Sequence, residues 1–506
     1  MTLTFSKIGV VGAGAMGRGI AQVAAQAGAQ VLLHDLQREQ AVQARAFIGT
    51  MFQRAAEKGR LSPEAAEAAL ERVRVVEMPE FAEAELIVEA IVEDLEIKQR
   101  LLRQLEELVS DSCVLATNTS SLSVTRIAAG SRLPERVAGW HFFNPVPLMK
   151  VVEVIGGPRT DPEVLERLTA FTQEFGHSPV RAEDSPGFLV NHAGRGLTTE
   201  GLRLLQEGIA QPWEIDEILR DCAGFRMGPF ELLDLTGLDV SFPVMEQIYE
   251  QFYHEPKFRP TPELSRRHAA GLLGRKTGAG FYRYESGTKV PVGPSTFPRG
   301  EAASVPVWVS PSGLSPGAEE LRALLEQAGA DVEPEGAAPS SQALCLAASQ
   351  GADVTTLVGT LALDPRRTVG VDTLFGLDKR RVLMVTPVTR PELREQARTL
   401  LEDDPHPVTI IRDSPGSVAA RVLAVVVNIA CDLAQQRIAS PKDIDLAVRL
   451  GLGYPKGPLE WGDEFGAQRI LTVLEALHHF YRDPRYRPSP WLLRRALLDV
   501  SLRQPE

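Results

Sequence analysis

Short unbroken apolar runs alternate along the chain with longer stretches in which apolar positions recur every three or four residues. The first run, Ile8 to Val11, is too short for a buried helix and predicts a strand. Gly12-Ala13-Gly14-Ala15-Met16-Gly17 turns the chain, an Ala- and Gln-rich helix runs to Gly28, and QVLLHD at 30–35 reads as a second strand. A helix is predicted over 39–60. AELIVEAIVEDLEIKQRLLRQLEEL at 84–108 divides into a strand ending near Glu89–Ala90 and a helix, with Glu93 and Lys98 in the loop or first turns. SCVLATNTSSL at 112–122 is another strand, closed by the polar cluster Asn118, Thr119, Ser120 and Ser121. RVAGWHFFNP carries His141 at a strand's end with Asn144 just beyond, and KVVEVI places Glu153 within the next strand. From Asp161 the pattern turns helical, a helical region opens at 184–208 and lasts to about 248, and GRKTGAGFYRY at 274–284 closes it. Residues 285–303, rich in Gly, Pro, Ser and Thr, read as a linker.

The second half repeats the first. Asp184-Ser185-Pro186-Gly187 recurs as Asp413-Ser414-Pro415-Gly416, and the same offset of 229 takes Ile215-Asp216 to Ile444-Asp445, Gly228-Pro229 to Gly457-Pro458, Glu231 to Glu460 and Gly237 to Gly466. No gap interrupts it, so a duplicated helical domain is inferred. Asn191, however, maps onto Ala420. Upstream, 305–332 still resembles strand, turn and helix but has Ser310-Pro311-Ser312-Gly313 where glycines would be needed. Residues 368–385 stand in the place of the His141–Glu153 segment with neither histidine nor glutamate. The second copy keeps packing residues and has lost the chemistry. The expected layout is an α/β Rossmann-type domain over 1–184, an all-α domain over 185–285, a linker over 286–303, a degenerate Rossmann-like copy over 304–410 and a second helical domain over 411–506.

Composition narrows the class. The chain has 506 residues, too many for one core. A net charge of −12 argues against nucleic acid as a general partner. Cys113, Cys222, Cys345 and Cys431 are widely spaced without a CxxC pair, so neither a metal site nor a disulfide framework is expected, and a reducing cytoplasm fits. The most apolar window, 418–434, is broken by Arg421, Asn428 and Asp432 and is too short to cross a bilayer. It reads as a buried core helix, and no membrane partner is expected.

The glycines at 12, 14 and 17 form GxGxxG between a strand and a helix, the setting that makes this motif informative. Gly12 permits the tight turn, Gly14 lets a pyrophosphate approach, and Gly17 lets helix and strand pack. Asp35 ends the second strand, the place for a carboxylate on the adenosine ribose hydroxyls, and it favours NAD over NADP. Arg54 and Lys58 share a helix face, either as a solvated surface or as a docking edge for a polyphosphate such as coenzyme A. In an open α/β sheet ligands bind at the carboxyl ends of strands, where His141 falls. A histidine there suits alcohol oxidation: imidazole takes the hydroxyl proton, Glu153 holds the ring and its charge, and Ser120 and Asn191 hydrogen-bond substrate oxygens.

Residues 1–285 resemble the 3-hydroxyacyl-CoA dehydrogenase family through GAGxMGxGIA at 12–21, EAIVEDLEIK at 89–98, NTSSL at 118–122, HFFNPVPLMKVVEVI at 141–155, DSPGFLVN at 184–191 and GRKTGAGFY at 274–282. The resemblance implies an NAD-dependent enzyme oxidising a (3S)-3-hydroxyacyl-CoA. His141 would be the catalytic base paired with Glu153, assisted by Ser120 and Asn191 at the substrate. NAD would be held by Gly12, Gly14, Met16, Gly17, Asp35, Glu93, Lys98, Asn118, Asn144 and Lys276. Lys58 would serve the coenzyme A phosphates. The degenerate second half resembles the long bacterial forms associated with aromatic-acid breakdown, whose substrate is 3-hydroxyadipyl-CoA. 3-Hydroxybutyryl-CoA is the near alternative. A sugar-acid dehydrogenase and a non-catalytic NAD-binding protein share the fold. A homo-oligomer is possible, and the two helical domains are expected to pack on each other within the chain as a pseudo-dimer.

Overall fold

The computed structural model describes residues 3–293, 304–315, 317–403 and 405–505. The chain opens with β1 (Lys7–Val11), α1 (Ala15–Ala27), β2 (Gln30–His34), α2 (Arg38–Glu57), α3 (Pro63–Glu71) and β3 (Val73–Val75). It continues with β4 (Leu86–Glu89), α4 (Leu95–Glu106), β5 (Val114–Thr117), α5 (Val124–Ala128), β6 (Val137–Phe142), β7 (Val151–Gly156), α6 (Pro162–Glu174) and β8 (Ser178–Glu183). The eight strands form one sheet in the order β3-β2-β1-β4-β5-β6-β7-β8. All neighbours are parallel except β6 and β7. The strands are near-continuous buried runs because helices cover both faces. Helix starts follow side-chain chemistry: Ser62, Asp94, Ser123 and Asp161 each accept a backbone N–H of the helix they open. Helix α3 and strands β3 and β8 add to the sequence reading. β8 falls in a stretch read as helical, because its alternation (Val180 and Ala182 in, Arg181 and Glu183 out) is brief and follows a long helix.

Helices α7 (Val190–Ala193), α8 (Arg195–Gln206), α9 (Pro212–Ala223), α10 (Pro229–Thr236), α11 (Leu238–Gln251) and α12 (Pro262–Ala269) follow. Strands β9 (Tyr284–Glu285) and β10 (Thr288–Lys289) then pair as a hairpin. The hairpin occupies the start of the segment expected to be linker, and residues 294–303 of that linker lie outside the described residues. Asp234 accepts the Phe281 and Tyr282 amides, and Asp216 accepts the Tyr282 hydroxyl, so the GRKTGAGFY segment is clamped onto the helices.

The next elements are β11 (Val307–Val309), α13 (Ala318–Gln327), β12 (Leu344–Ser349), α14 (Val354–Leu361), β13 (Thr368–Asp372), β14 (Arg381–Val385), α15 (Pro391–Leu401) and β15 (Val408–Arg412). They give a five-stranded sheet in the order β11-β12-β13-β14-β15, with β13 and β14 antiparallel. Its last four strands run in the same order and senses as β5 to β8, and the register Val382↔Thr409 matches Glu153↔Val180 at the 229-residue offset. Among the described residues, what would correspond to β2 is a single bridge, Val307 to Val332. The chain ends with α16 (Ala419–Gln435), α17 (Pro441–Gly451), α18 (Pro458–Phe465), α19 (Ala467–Tyr481) and α20 (Pro490–Leu498).

Two compact units result, Met1–His192 with Gln436–Leu452, and Ala193–Gln435 with Gly453–Glu506. They cut across the chain order, because α17 joins the first unit, where it packs on β7 and β8. Within the second unit α8 lies against α16 so closely that a Cβ on Gly196 would stand 3.0 Å from the Val426 Cα. The wholly buried Arg421 of α16 donates to Glu200 at 2.6 Å and bidentately to Glu207 at 2.8 and 2.9 Å. Burying that cation is tolerable only because these carboxylates and the Tyr481 and Tyr486 hydroxyls satisfy it.

Candidate active site

At the carboxyl end of the first sheet the chain leaves β1 through Gly12, whose φ of 100° and whose closeness to the Ala90 carbonyl (2.5 Å from a would-be Cβ) admit only glycine. A Cβ on Gly17 would strike the Gly12 carbonyl at 1.8 Å, whereas one on Gly14 would meet nothing within 4 Å. Gly14 also starts α1 without a side-chain cap, and no acidic residue lies in the helix's first turn. Open backbone amides at a helix N-terminus form a receptor for a pyrophosphate. Asp35 follows β2. Its carboxylate accepts the Ala13 amide at 2.8 Å and the Gln37 amide at 2.9 Å, which ties the end of β2 to the glycine turn. These features fit NAD.

A cavity of about 350 Å³ opens beside the turn, lined by Met16, Glu93, Asn118, Ser120, His141, Asn144 and Asn191 together with Phe143. The structure therefore brings together residues scattered over 175 positions of sequence. His141 lies in β6 directly opposite Glu153 in β7. The His141 Nδ1 to Glu153 Oε2 distance is 2.5 Å. The other carboxylate oxygen accepts the Leu189 amide at 2.9 Å and the Val190 amide at 2.7 Å. Glu153 is fully buried, and these two amides and the imidazole satisfy both of its oxygens. Asn118 is oriented by the Phe142 amide, which donates to its Oδ1 at 2.9 Å.

Glu93 accepts the Thr119 hydroxyl at 2.6 Å and the Ser120 and Ser121 amides at 3.0 and 3.1 Å. Partial burial opposes its ionisation, but these bonds and the Lys98 ammonium 3.4 Å away outweigh it and hold the carboxyl below its ordinary range. Lys98 lies buried behind the cavity wall in α4, with its ammonium 2.8 and 2.9 Å from the Glu89 oxygens, so it would act on the cofactor site through Glu93. Burial pushes Glu89 up despite Lys98 and the Thr117 hydroxyl. Sequence reasoning missed Glu89, although a carboxylate inside an apolar strand, nine residues before a lysine, was a usable signal. Lys276 belongs to the second unit, where it pairs with Asp239 at 2.5 Å.

Lys58 caps α2 and lines a larger cleft of about 740 Å³ in the first unit. Arg18, Arg54, Arg60 and Lys150 share that cleft, and Asn144 lines both it and the smaller cavity. Arg18 and Lys150 were not legible as partners of Lys58, because they come from different elements of the chain. In the second sheet the corresponding helix, α13, carries Glu319 and Glu320 in its first turn, which repels a pyrophosphate. Asp372 and Val382 lie directly beyond the paired Val371 and Leu383, in the place where the first sheet has His141 and Glu153. Among the described residues, no group of acidic, cysteine and histidine side chains is arranged to hold a metal ion, and no helix is long and apolar enough to cross a membrane.

Comparison with known proteins agrees with this geometry. Residues 7–185 match the model of the 3-hydroxyacyl-CoA dehydrogenase NAD-binding domain, and residues 187–284 and again 416–501 match that of the family's C-terminal domain. The chain is 39% identical to a 3-hydroxyadipyl-CoA dehydrogenase of Escherichia coli K12, across 99% of both chains. It is 41% identical to a probable 3-hydroxybutyryl-CoA dehydrogenase of Deinococcus radiodurans, over 55% of this chain and all of the relative. A crystal structure of a 3-hydroxybutyryl-CoA dehydrogenase from Escherichia coli K12 superposes with a TM-score of 0.84 at 38% identity, covering 98% of each chain.

Proposed function

This chain belongs to the 3-hydroxyacyl-CoA dehydrogenase family and is an NAD-dependent enzyme, and from that footing we propose that it oxidises (3S)-3-hydroxyadipyl-CoA to the 3-oxo thioester with His141 as general base. The His141–Glu153 pair facing a cavity beside the dinucleotide turn carries the reading. Because the Glu153 carboxylate accepts the Nδ1 proton, Nε2 is left as the basic atom. Nε2 takes the 3-hydroxyl proton, and Glu153 stabilises the imidazolium that forms. Ser120 and Asn191, on the same cavity, hydrogen-bond the substrate oxygens. Bound NAD supplies the hydride acceptor. Gly12, Gly14 and Gly17 would seat its pyrophosphate and Asp35 its ribose, with Met16, Glu93, Asn118 and Asn144 along the cavity and Lys98 behind Glu93. Lys58 and the cations of its cleft suit the coenzyme A phosphates.

Likeness along the whole chain to a 3-hydroxyadipyl-CoA dehydrogenase supports the dicarboxylic substrate and, with it, a place in aromatic-acid breakdown. The likeness to 3-hydroxybutyryl-CoA dehydrogenases keeps the short monocarboxylic thioester as the second reading. A panel of 3-hydroxyacyl-CoA thioesters with and without a terminal carboxylate decides: the highest kcat/KM should fall on the dicarboxylic member. A higher value for 3-hydroxybutyryl-CoA reverses the choice.

The second half reads as a degenerate tandem copy. The Glu183 amide donates to the Ile438 carbonyl at 2.8 Å, and at the 229-residue offset the Arg412 amide donates to the Ile209 carbonyl at 3.0 Å. Each contact lies within its own unit, and their correspondence, with α8 against α16, supports the reading of an intrachain pseudo-dimer of the helical domains. The four cysteines are buried and unbridged, which suits a reducing cytoplasm.

A further inference from the structure

Helix α17 comes from the second half, yet its contacts place it on β7 and β8 of the catalytic unit. It is anchored there by the Glu183–Ile438 backbone bond. Its last residue is Gly451. A Cβ built there would stand 2.9 and 3.0 Å from the two Val190 methyl carbons and 3.4 Å from Cγ1 of Val151. The first two distances are tighter than packed side chains tolerate, so any larger residue must displace Val190 or the helix. Val190 is wholly buried, and its amide is the shorter of the two backbone donors on Glu153. The line of contact therefore runs from Gly451 through Val190 and Glu153 to His141, all within one compact unit.

The other half offers an internal comparison. At the 229-residue offset Val190 becomes Ala419, Glu153 becomes Val382, and Gly451 corresponds to Cys222 of α9. Cys222 packs on the counterpart of Val151, donating its thiol to the Arg380 carbonyl at 3.3 Å. Where no carboxylate has to be held, the helix end carries a side chain and the floor residue is small. Where Glu153 is held, the helix end is bare and the floor residue is large. Resting on the dyad reading above, we propose that α17 is the buttress of the catalytic pair and that Gly451 is a positioning residue for Glu153. The half without a dyad then completes the site of the half that has one.

The test uses the full chain with NAD and a 3-hydroxyacyl-CoA, comparing wild type, His141→Ala, Gly451→Val, Val190→Ala and the double variant Gly451→Val/Val190→Ala. Misplacing a catalytic group by a fraction of an ångström lowers kcat, so Gly451→Val should lose about tenfold or more in kcat while both KM values stay within about threefold. Making room with Val190→Ala should bring the double variant back to within about threefold of Val190→Ala alone. A folded Gly451→Val with wild-type kcat, or a loss that Val190→Ala does not recover, overturns the buttress. If Gly451→Val gives no cooperative melt, Gly451→Ala replaces it, with an expected loss of about threefold judged by the same recovery. Wild-type turnover in His141→Ala would remove the dyad itself. An inactive His141→Ala beside an unaffected Gly451→Val removes the buttress alone.

Discussion

His141 and Glu153 face each other across the one antiparallel pair of an otherwise parallel sheet, with 2.5 Å between Nδ1 and Oε2. The pairing fixes the ring's tautomer because Oε1 is already committed to two backbone amides. Glu153→Gln keeps the shape and reverses that logic. Its amide oxygen would take the backbone donors, its NH2 would face Nδ1, and the imidazole proton would move to Nε2. Turnover is expected to fall by about 10²- to 10⁴-fold, with the melting temperature little changed. Steady-state kinetics paired with thermal unfolding checks this.

Asp35 braces the Ala13 amide of the glycine turn, and on the proposed function its carboxylate would also bind the cofactor ribose. Asp35→Ala should raise KM for NAD by about tenfold or more while kcat at saturating NAD changes little, since the residue binds without touching the reacting atoms. An unchanged KM for NAD would separate Asp35 from the cofactor.

The cationic cleft makes a separate claim on the other substrate. Lys58→Ala should raise KM for the thioester by about 3- to 10-fold, leave KM for NAD unchanged and weaken the salt dependence of kcat/KM, as expected for partly exposed charges on phosphate. The same substitution should not alter the rate on a short N-acetylcysteamine thioester, which lacks the phosphates.

Asp216 gives a pH signature in stability. Burial, reinforced by the neighbouring Glu231, pushes its carboxyl up to about 7 from an ordinary 3.8, against the bonds it accepts from Tyr282 and two amides. The folded state thus holds this proton to higher pH than the unfolded chain does. Stability from this group is full below about 3.8 and declines as pH rises to about 7, by at most about 4 kcal/mol. Asp216→Asn cannot ionise, so its melting temperature should fall less steeply than wild type between these limits. Parallel slopes would contradict the assignment.

Most of the first sheet was legible because its strands are buried on both faces and broken by glycine, asparagine and proline, as at Gly12 and Asn144-Pro145. The dyad was legible because two ionisable residues stood in apolar strands. What escaped were features that need three dimensions. Strand β8 was hidden by its brevity, and the Leu189 and Val190 amides carry no side-chain signal. The partnership of Arg18 and Lys150 with Lys58 depends on segments 40 residues before it and 92 residues after it. Nothing local to α17 reveals that it crosses to the first unit. Only the 229-residue offset, applied to Gly451 and Cys222 together, exposes the exchange.

The central claim is that His141 removes the hydroxyl proton beside a bound NAD. NADH formation from a 3-hydroxyacyl-CoA, measured in wild type and His141→Ala together with NAD affinity by fluorescence titration, tests it most directly. Turnover should drop by about 10²-fold or more in the variant while the Kd for NAD stays within about twofold. Equal turnover in the two proteins would contradict the claim.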